Sequence, residues 1–383
     1  MNATMRLSCG VWLAAMLAGC TSAPSKPEAV AHMIQPQRVT EHRGHDDLLT
    51  AGLGLDGLRA MAAPAFADPA HPTAAELRRR AIWGNWRGIA DLSPTGGYGQ
   101  AYGSVASVPG REYSALAKVP GAAQPHRVLV QVPDHFDTGK RCIVVTASSG
   151  SRGIYGAIAV AAPWGLPKGC AVAYTDKGAG TDYFDLDEQQ GAREDGTVGA
   201  LGTDALAFAP DAPVGASGVA VKHAHSKDNP EADWGRHVKQ AAEFALAALD
   251  QAFPQAAPFR FDNTRVIAVG ISNGGGAVLR ASEEEGGWLD AVVAGEPNIY
   301  AADAPGARSL YDYTTEAALL MPCALLDLPA ETLPQPPLRA QVEPLWTARC
   351  ATLKAAGLVT GGDAKAQAAS ARAQLKANGW TDD

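Results

Sequence analysis

The stretch RVIAVGISNGGGAVLRASEEE, from Arg265 to Glu285, decides the fold that this sequence predicts. Its apolar run from Val266 to Val269 predicts a strand, and the residues after the glycines predict a helix. Between them, the turn around Ser272 fits G-x-S-x-G, a pattern in which a strained strand–turn–helix exposes a serine at its tip. Ser272 is therefore a candidate nucleophile.

Two other glycine-rich turns compete with this interpretation. In a dinucleotide-binding loop Gly270 would begin G-x-G-x-x-G, but Ser272 stands where the second glycine is required. A phosphate-binding P-loop is excluded because no G-K-[ST] follows the turn. We therefore favour an α/β-hydrolase-like fold with Ser272 at its nucleophile elbow.

A serine nucleophile also needs backbone amides that stabilise the oxyanion of the intermediate. The amide of Asn273, directly after the serine, is one expected donor. The second should come from the loop after an earlier strand, and TASSGSRG (146–153) follows the apolar run CIVV. The amides of Ser148, Ser149 and Gly150 are all candidates for that second donor.

The sequence does not identify the catalytic base that Ser272 would need. A triad on this fold has an acid and then a histidine after the serine, but all nine histidines precede Ser272, and the last is His237. Three interpretations remain open. Ser272 is not a hydrolase nucleophile, its base comes from an unusual place, or the chain stops before the site is complete.

Three other residues are possible members of the pocket. His223 and His225 form an H-x-H pair, but no third ligand at matching spacing indicates a metal site, so we favour a loop with some substrate contact. Glu296 follows a predicted strand and is either a triad acid or a turn residue before Pro297. The sequence predicts no metal and no cofactor.

Apolar runs alternate with helical patterns along the middle of the chain. Strands are predicted at 126–132, 142–147, 169–176, 266–269 and 289–298, and a long helix at 231–253, capped by Asp228 or Asn229. Strands of this kind, separated by helices, indicate a parallel sheet that is buried on both faces and flanked by helices. After Asn298 the pattern predicts short helices only.

Composition narrows the range of partners. Of the 383 residues, 46% are hydrophobic and 19% are charged, which is typical of a globular protein, and the formal charge is -8. Nucleic-acid binding needs clustered lysine and arginine, which the sequence lacks. We expect a small-molecule ester as partner and no nucleic acid.

The N-terminus has the plan of an export signal. Arg6 precedes an apolar run from Val11 to Ala18, which is too short to span a membrane. Residues 17–20 (LAGC) resemble the lipobox of bacterial lipoproteins, in which the cysteine, here Cys20, carries the lipid; plain secretion is the alternative. Thr21 after the cysteine favours the outer membrane. The lipid at Cys20 would be the only membrane contact. We expect an exported protein, either an outer-membrane lipoprotein or a periplasmic or extracellular protein.

Four cysteines lie in the body of the chain, and an even number in an exported protein suggests disulfides. We favour Cys142–Cys170 and Cys323–Cys350. Cys142 opens one predicted strand and Cys170 precedes the next, so parallel neighbours would place both at one end of the sheet. Four reduced, buried thiols are the alternative.

Several stretches resemble the D-(-)-3-hydroxybutyrate oligomer hydrolases, which are exported bacterial serine esterases of poly-3-hydroxybutyrate breakdown. The resemblance runs from about Asp46 to the last residue, and it is carried by the following stretches: DDLLTAGLGLDGL (46–58), GGYGQAYG (96–103), TASSGSRGIYGAIAVAAPWGLPKGCAVAYTDKGAG (146–180), VKHAHSKDNPEADWGRHVKQAAEFA (221–245), SNGGGA (272–277) and GEPN (295–298). It implies an α/β-hydrolase fold, cleavage of hydroxybutyrate dimers and short oligomers to the monomer, and Ser272 as nucleophile.

The chain differs from that family in its length. Members of that family are considerably longer, and their acid and histidine are expected in a C-terminal portion with further strands. We therefore expect a signal peptide (1–19), a tether (20–45), a hydrolase core (46–300) and an incomplete, helical cap-like segment (301–383). The alternative functions are an esterase of another substrate class and an inactive envelope lipoprotein.

Overall fold

The computed structural model describes residues 33–98, 105–178, 181–329, 331 and 336–381. The chain divides into two compact units, Met1–Asn298 and Ile299–Asp383, and each is described by itself. The predicted signal peptide, Cys20 and the first part of the tether lie outside the described residues.

A seven-stranded sheet forms the centre of the first unit. Its strands are β1 (Arg38–His42), β2 (Gly110–Ala117), β3 (His126–Pro133), β4 (Cys142–Ala147), β5 (Ala171–Thr175), β10 (Arg265–Ile271) and β11 (Ala291–Gly295). Their order is β1-β2-β3-β5-β4-β10-β11. The four strands β5, β4, β10 and β11 are parallel, whereas β1, β2 and β3 run antiparallel to their neighbours.

The prediction of a parallel sheet is therefore correct for one half of the sheet and wrong for the other. The predicted strand at 126–132 pairs antiparallel to β5, with Val128 opposite Thr175. The link from β3 to β4 contains no helix, and a parallel crossover needs a dozen residues or more. Strands β1 and β2 were not predicted from the sequence.

Helices cover both faces of this sheet. The helices are α1 (Gly54–Arg59), α2 (Ala74–Arg87), α3 (Ile158–Gly165), α4 (Lys222–His225), α5 (Trp234–Ala252) and α6 (Asn273–Ser282). Alternate residues of β4 point to opposite faces, so Ile143 and Val145 pack in the core of α5 and α6, while Val144 packs in the core of α2 and α3. Burial of these two layers is the main term that stabilises the unit.

Helix α5 begins later than the sequence predicts. Residues Pro230–Asp233 form a 3₁₀ turn, and the α-helix starts at Trp234. Neither Asp228 nor Asn229 caps it; the Asp228 carboxylate instead accepts hydrogen bonds from the amides of Ala123 and Gln124, at 2.6 and 2.7 Å. The prediction of the cap is wrong because a distant loop competes for the same carboxylate.

A second, smaller sheet lies between β5 and α4 in the chain. It contains β6 (Tyr183–Asp185), β7 (Gln190–Ala192), β8 (Val198–Ala200) and β9 (Val219–Val221), in the order β8-β7-β6-β9, and all pairs are antiparallel. Phe184 and Phe208 form the centre of its small core.

The second unit is helical. It contains α7 (Leu310–Ala324), α8 (Pro336–Ala355) and α9 (Ala364–Ala377). Ser309 caps α7 by accepting from the amide of Asp312, and Asp363 caps α9 in the same way. Cys323 is bonded to Cys350 within the core of this unit, and Cys142 to Cys170 in the first unit. These are the pairs that the sequence analysis favours.

Candidate active site

The backbone at Ser272 is strained. The residue has φ 54° and ψ -123°, a left-handed conformation that side chains other than glycine rarely adopt. It stands between the last residue of β10 and the first residue of α6, and it is exposed. Strain of this kind persists where the surrounding structure imposes it, and it occurs disproportionately at functional sites.

The glycines around Ser272 are required by close contacts. A Cβ atom on Gly270 would lie 2.2 Å from the carbonyl oxygen of Gly274, and one on Gly274 would lie 2.5 Å from that of Ala147. Both neighbours are backbone atoms, which cannot move aside as a side chain does. The turn therefore closes against β10 and against the end of β4 only when both positions lack a side chain.

Backbone hydrogen bonds attach the turn to the neighbouring strand. The Ser272 amide donates to the carbonyl of Gly295, at 2.9 Å, at the end of β11. Glu296 follows directly, is exposed, and has a positive φ of 43°. The Glu296 backbone thus lies beside the serine, but within the described part of the chain its carboxylate makes no hydrogen bond to Ser272, and its role as a triad acid stays a prediction.

The structure narrows the choice of oxyanion donors. The Ser148 amide donates to the carbonyl of Thr175, at 2.9 Å, so it is not available. The amides of Ser149 and Gly150 make no hydrogen bond to any described residue. A Cβ atom on Gly150 would lie 3.8 Å from Oδ1 of Asn273, so the loop after β4 and the turn at Ser272 meet here.

The first turn of α6 adds further donors. The helix begins at Asn273, and its first amides have no partner within the helix. The positive end of the helix dipole lies at the same place. Free amides from the Ser272 turn and from the Ser149–Gly150 loop therefore border one region, which is the arrangement that stabilises an oxyanion.

Lys177 supports this loop, although the sequence analysis did not identify it. Its Nζ donates to the carbonyl of Gly150 at 2.8 Å and lies 5.1 Å from the ring centre of Trp234. The side chain is buried, and burial lowers its pKa to about 8, against the raising influence of Asp176 and Glu231. The only sequence signal was its place two residues after the end of β5.

The histidines are not brought to the serine. His223 and His225 lie in the short helix α4 and are exposed, and Nδ1 of His225 contacts the backbone of Val221. His126 and His237 are buried with their ring centres 4.4 Å apart, and burial lowers the pKa of both. None of the described side chains hydrogen-bonds to Oγ of Ser272.

A buried ionic cluster joins α2 to the sheet. Arg78 contacts Glu112 at 2.8 Å and Asp46 at 2.9 Å, and Tyr155 donates to Glu112 at 2.7 Å. Burial alone would raise the pKa of Glu112, but Arg78 and His42 hold it far below its usual range. The carboxylate is thus charged at neutral pH and fixes α2 against β2.

The described residues form neither a metal-binding cluster nor a membrane-spanning helix. In that part of the chain, no group of three or more histidines, cysteines or acidic residues is placed to hold a metal ion. No helix in it is long and apolar enough to cross a membrane.

Comparison with known proteins identifies the family. A family model described as 3HB-oligomer hydrolase matches residues 14–383. The D-(-)-3-hydroxybutyrate oligomer hydrolase of Burkholderia vietnamiensis is 43% identical over 394 residues, which are 90% of this chain and 56% of that protein. The protein of the same name from Burkholderia ambifaria is 41% identical, over 99% of this chain and 61% of its own length.

The chain spans only somewhat more than half the length of these curated relatives. Family membership does not depend on that fraction, because the family model matches almost the whole of this chain. The chain belongs to the 3HB-oligomer hydrolase family.

Proposed function

We propose that this protein hydrolyses the ester bonds of 3-hydroxybutyrate oligomers, with Ser272 as the nucleophile. The observation that carries the proposal is the strained, exposed serine beside free backbone amides, in a chain of this family. The curated relatives are named as hydrolases of the same oligomers, which supports the choice of substrate.

The order of the strands supports the proposal that this mixed sheet with its helices is an α/β-hydrolase fold. Counted along the chain without β1, β4 is the third strand of this sheet, where it lies between β5 and β10, and α3 is the first helix after it. In α/β-hydrolases the second oxyanion donor comes from the loop after the third strand, and the first is the residue after the nucleophile. Ser149 or Gly150 and Asn273 occupy these two places here.

The proposed chemistry is that of a serine esterase. Ser272 Oγ attacks the ester carbonyl, a general base takes its proton, and the oxyanion accepts from the amides of Asn273 and of the loop. The alcohol portion leaves with a proton, and water hydrolyses the acyl-enzyme to release the acid. His223 and His225 are not assigned as the base, because both are exposed and no contact joins them to Ser272.

A reagent that reports activated serines tests the nucleophile. We expect a fluorophosphonate to form one adduct that maps to Ser272, and the adduct to be absent in Ser272→Ala. Ser282→Ala is the matched control, since Ser282 is an exposed serine at the end of α6. An adduct at another serine, or no adduct on folded protein, would refute the assignment.

The location of the protein is also proposed on sequence alone. The apolar run and the LAGC string support export with a lipid on Cys20, at the outer membrane. Growth with a radiolabelled fatty acid should label the wild type but not Cys20→Ala. Equal labelling of both would exclude the lipid anchor at this position.

A further inference from the structure

A cavity of about 580 Å³ lies in the first unit, between α2 and the ends of the central strands. It is bordered by the loops that follow β4 and β5, by β1, and by the link between β7 and β8. Charged side chains in its lining include Arg38, Arg78, Arg127, Arg152, Asp182 and Glu194. Its volume is in the range of small-molecule sites.

Three of these arginines are paired with carboxylates. Arg38 contacts Glu194 at 3.0 Å, and Arg127 contacts Asp182 at 2.8 Å. Arg78 is held by Glu112 and Asp46, as described above. Each of these three cations is matched by a carboxylate, and the further lining carboxylates Glu41 and Asp195 contact Arg43 and Arg38.

Arg152 differs from the other three. Among the described residues it has no ion pair, and its Nη1 is buried without a hydrogen-bond partner. A buried guanidinium nitrogen that lacks a partner is costly, and most such groups are satisfied in folded proteins. The guanidinium therefore has unused donor capacity, and the partly exposed Arg152 side chain lines the cavity, where a ligand can bring an acceptor to it.

The position of Arg152 is set by a glycine. A Cβ atom on Gly88 would lie 1.6 Å from Nη2 of Arg152, so the guanidinium occupies the space that a side chain at residue 88 would fill. Gly88 ends α2, and the negative end of that helix favours a cation there. Its φ of -80° suits alanine equally well, so the glycine is explained by the arginine and not by the backbone.

The cavity begins where the oxyanion loop ends. Gly150 borders Asn273, and Arg152 follows two residues later, so their Cα atoms are at most about 7 Å apart. Arg152 and Gly153 line the cavity and Ser272 does not, so a ligand that contacts both Ser272 and Arg152 has to pass the Ser149–Gly150 loop.

We propose that Arg152 binds the terminal carboxylate of the substrate and that the cavity holds the acid end of the oligomer. This inference rests on the proposed function. Each 3-hydroxybutyrate oligomer has one carboxylate, a few bonds from its nearest ester. A planar guanidinium matches a carboxylate with two parallel hydrogen bonds, so this pair selects the free acid over a neutral ester.

Calorimetric titration with the dimer of D-3-hydroxybutyrate tests the site directly, with every chain, including the one that is wild type at residue 152, carrying Ser272→Ala so that the dimer is bound and not cleaved. We expect Arg152→Gln to weaken binding at least about tenfold, and Arg152→Lys to restore part of it. The methyl ester of the dimer, which lacks the charge, should bind the wild type and Arg152→Gln equally. Arg260→Gln, the same charge change at an exposed and distant position, should bind the dimer as the wild type does.

A second variant leaves the arginine in the chain. Gly88→Ala should displace the guanidinium and weaken dimer binding in the same direction as Arg152→Gln, while the methyl ester binds as before. Thermal unfolding checks that each variant is folded. Failure of the wild type to bind the dimer, or equal loss of dimer and methyl ester in Arg152→Gln, would overturn the carboxylate site.

The outcomes separate this inference from the proposed function. A fluorophosphonate adduct at Ser272 combined with no effect of Arg152→Gln on dimer binding would leave the nucleophile and remove the carboxylate site. Arginine-dependent dimer binding without an adduct at Ser272 would do the reverse.

Discussion

At the scale of single residues, the site depends on two glycines that allow Ser272 its strained conformation. Gly274→Ala places a Cβ atom 2.5 Å from the Ala147 carbonyl, a contact that only a backbone shift relieves. We expect a loss of about 1–3 kcal/mol in the free energy of unfolding, measured in urea, together with loss of the Ser272 adduct.

A glycine in α2 provides the control for that substitution. Gly84 lies inside the helix with open space around a Cβ atom, so Gly84→Ala should be neutral or stabilising by about 0.5–1 kcal/mol. If both alanine variants behave alike, the close contact at Gly274 does not explain the glycine.

Lys177 gives a prediction about pH. Its pKa is about 8 in the folded protein and about 10.5 when unfolded, so between these values the unfolded state binds more protons. The contribution of this group to stability is least favourable below pH 8 and rises as the pH increases towards 10.5, by up to about 3 kcal/mol. Urea unfolding across this range should show the rise in the wild type and not in Lys177→Met. Parallel curves would contradict it.

At the scale of elements, the ionic cluster fixes α2 to the sheet. Glu112→Gln removes the charge that balances buried Arg78, so we expect a loss of about 3–5 kcal/mol in unfolding free energy at neutral pH. The pKa of Glu112 is lowered in the folded state, so its contribution is present above the unfolded pKa and is lost as the pH falls below it. Wild type and variant should therefore converge in acid, and a constant difference would exclude the carboxylate as the cause.

The disulfide between α7 and α8 gives a second prediction for an element. Cys323 and Cys350 are 27 residues apart, and closing a loop of that length restricts the unfolded chain by about 3–4 kcal/mol. Replacing both by serine should lower the stability of the helical unit by this order in denaturant. An oxidised wild type that is no more stable than the double variant would refute this contribution.

The sequence predicted some elements and missed others for physical reasons. The strand and helix around Ser272 are evident because an apolar run, glycines and a helical pattern follow in order. Strand β2 was missed because its sequence, GREYSALA, mixes charged and apolar residues. Glu112 is buried in this strand because Arg78, which is distant in the sequence, pairs with its carboxylate. Lys177 and Arg152 were missed for the same reason, because only tertiary contacts define the surroundings of their side chains.

At the scale of the whole molecule, strand β11 forms an open edge. It pairs with β10 on one side, and no described strand pairs with the other. Val293 in this strand is 56% exposed. Exposed apolar edge strands promote association between chains. We therefore expect the 383-residue chain to self-associate in sedimentation experiments at micromolar concentration.

A charge on the strand should oppose that association. Val293→Lys should shift the chain towards the monomer, whereas Val214→Lys, on a fully exposed loop valine, should not. A wild type that sediments as a monomer under the same conditions would contradict the role of the edge.

We propose that Ser272 cleaves the esters of 3-hydroxybutyrate oligomers, and release of the monomer from the D-3-hydroxybutyrate dimer tests this most directly. We predict release by the wild type and by Ser282→Ala, and a loss of about a thousandfold or more in Ser272→Ala. No release by folded wild type, or undiminished release by Ser272→Ala, would contradict the account.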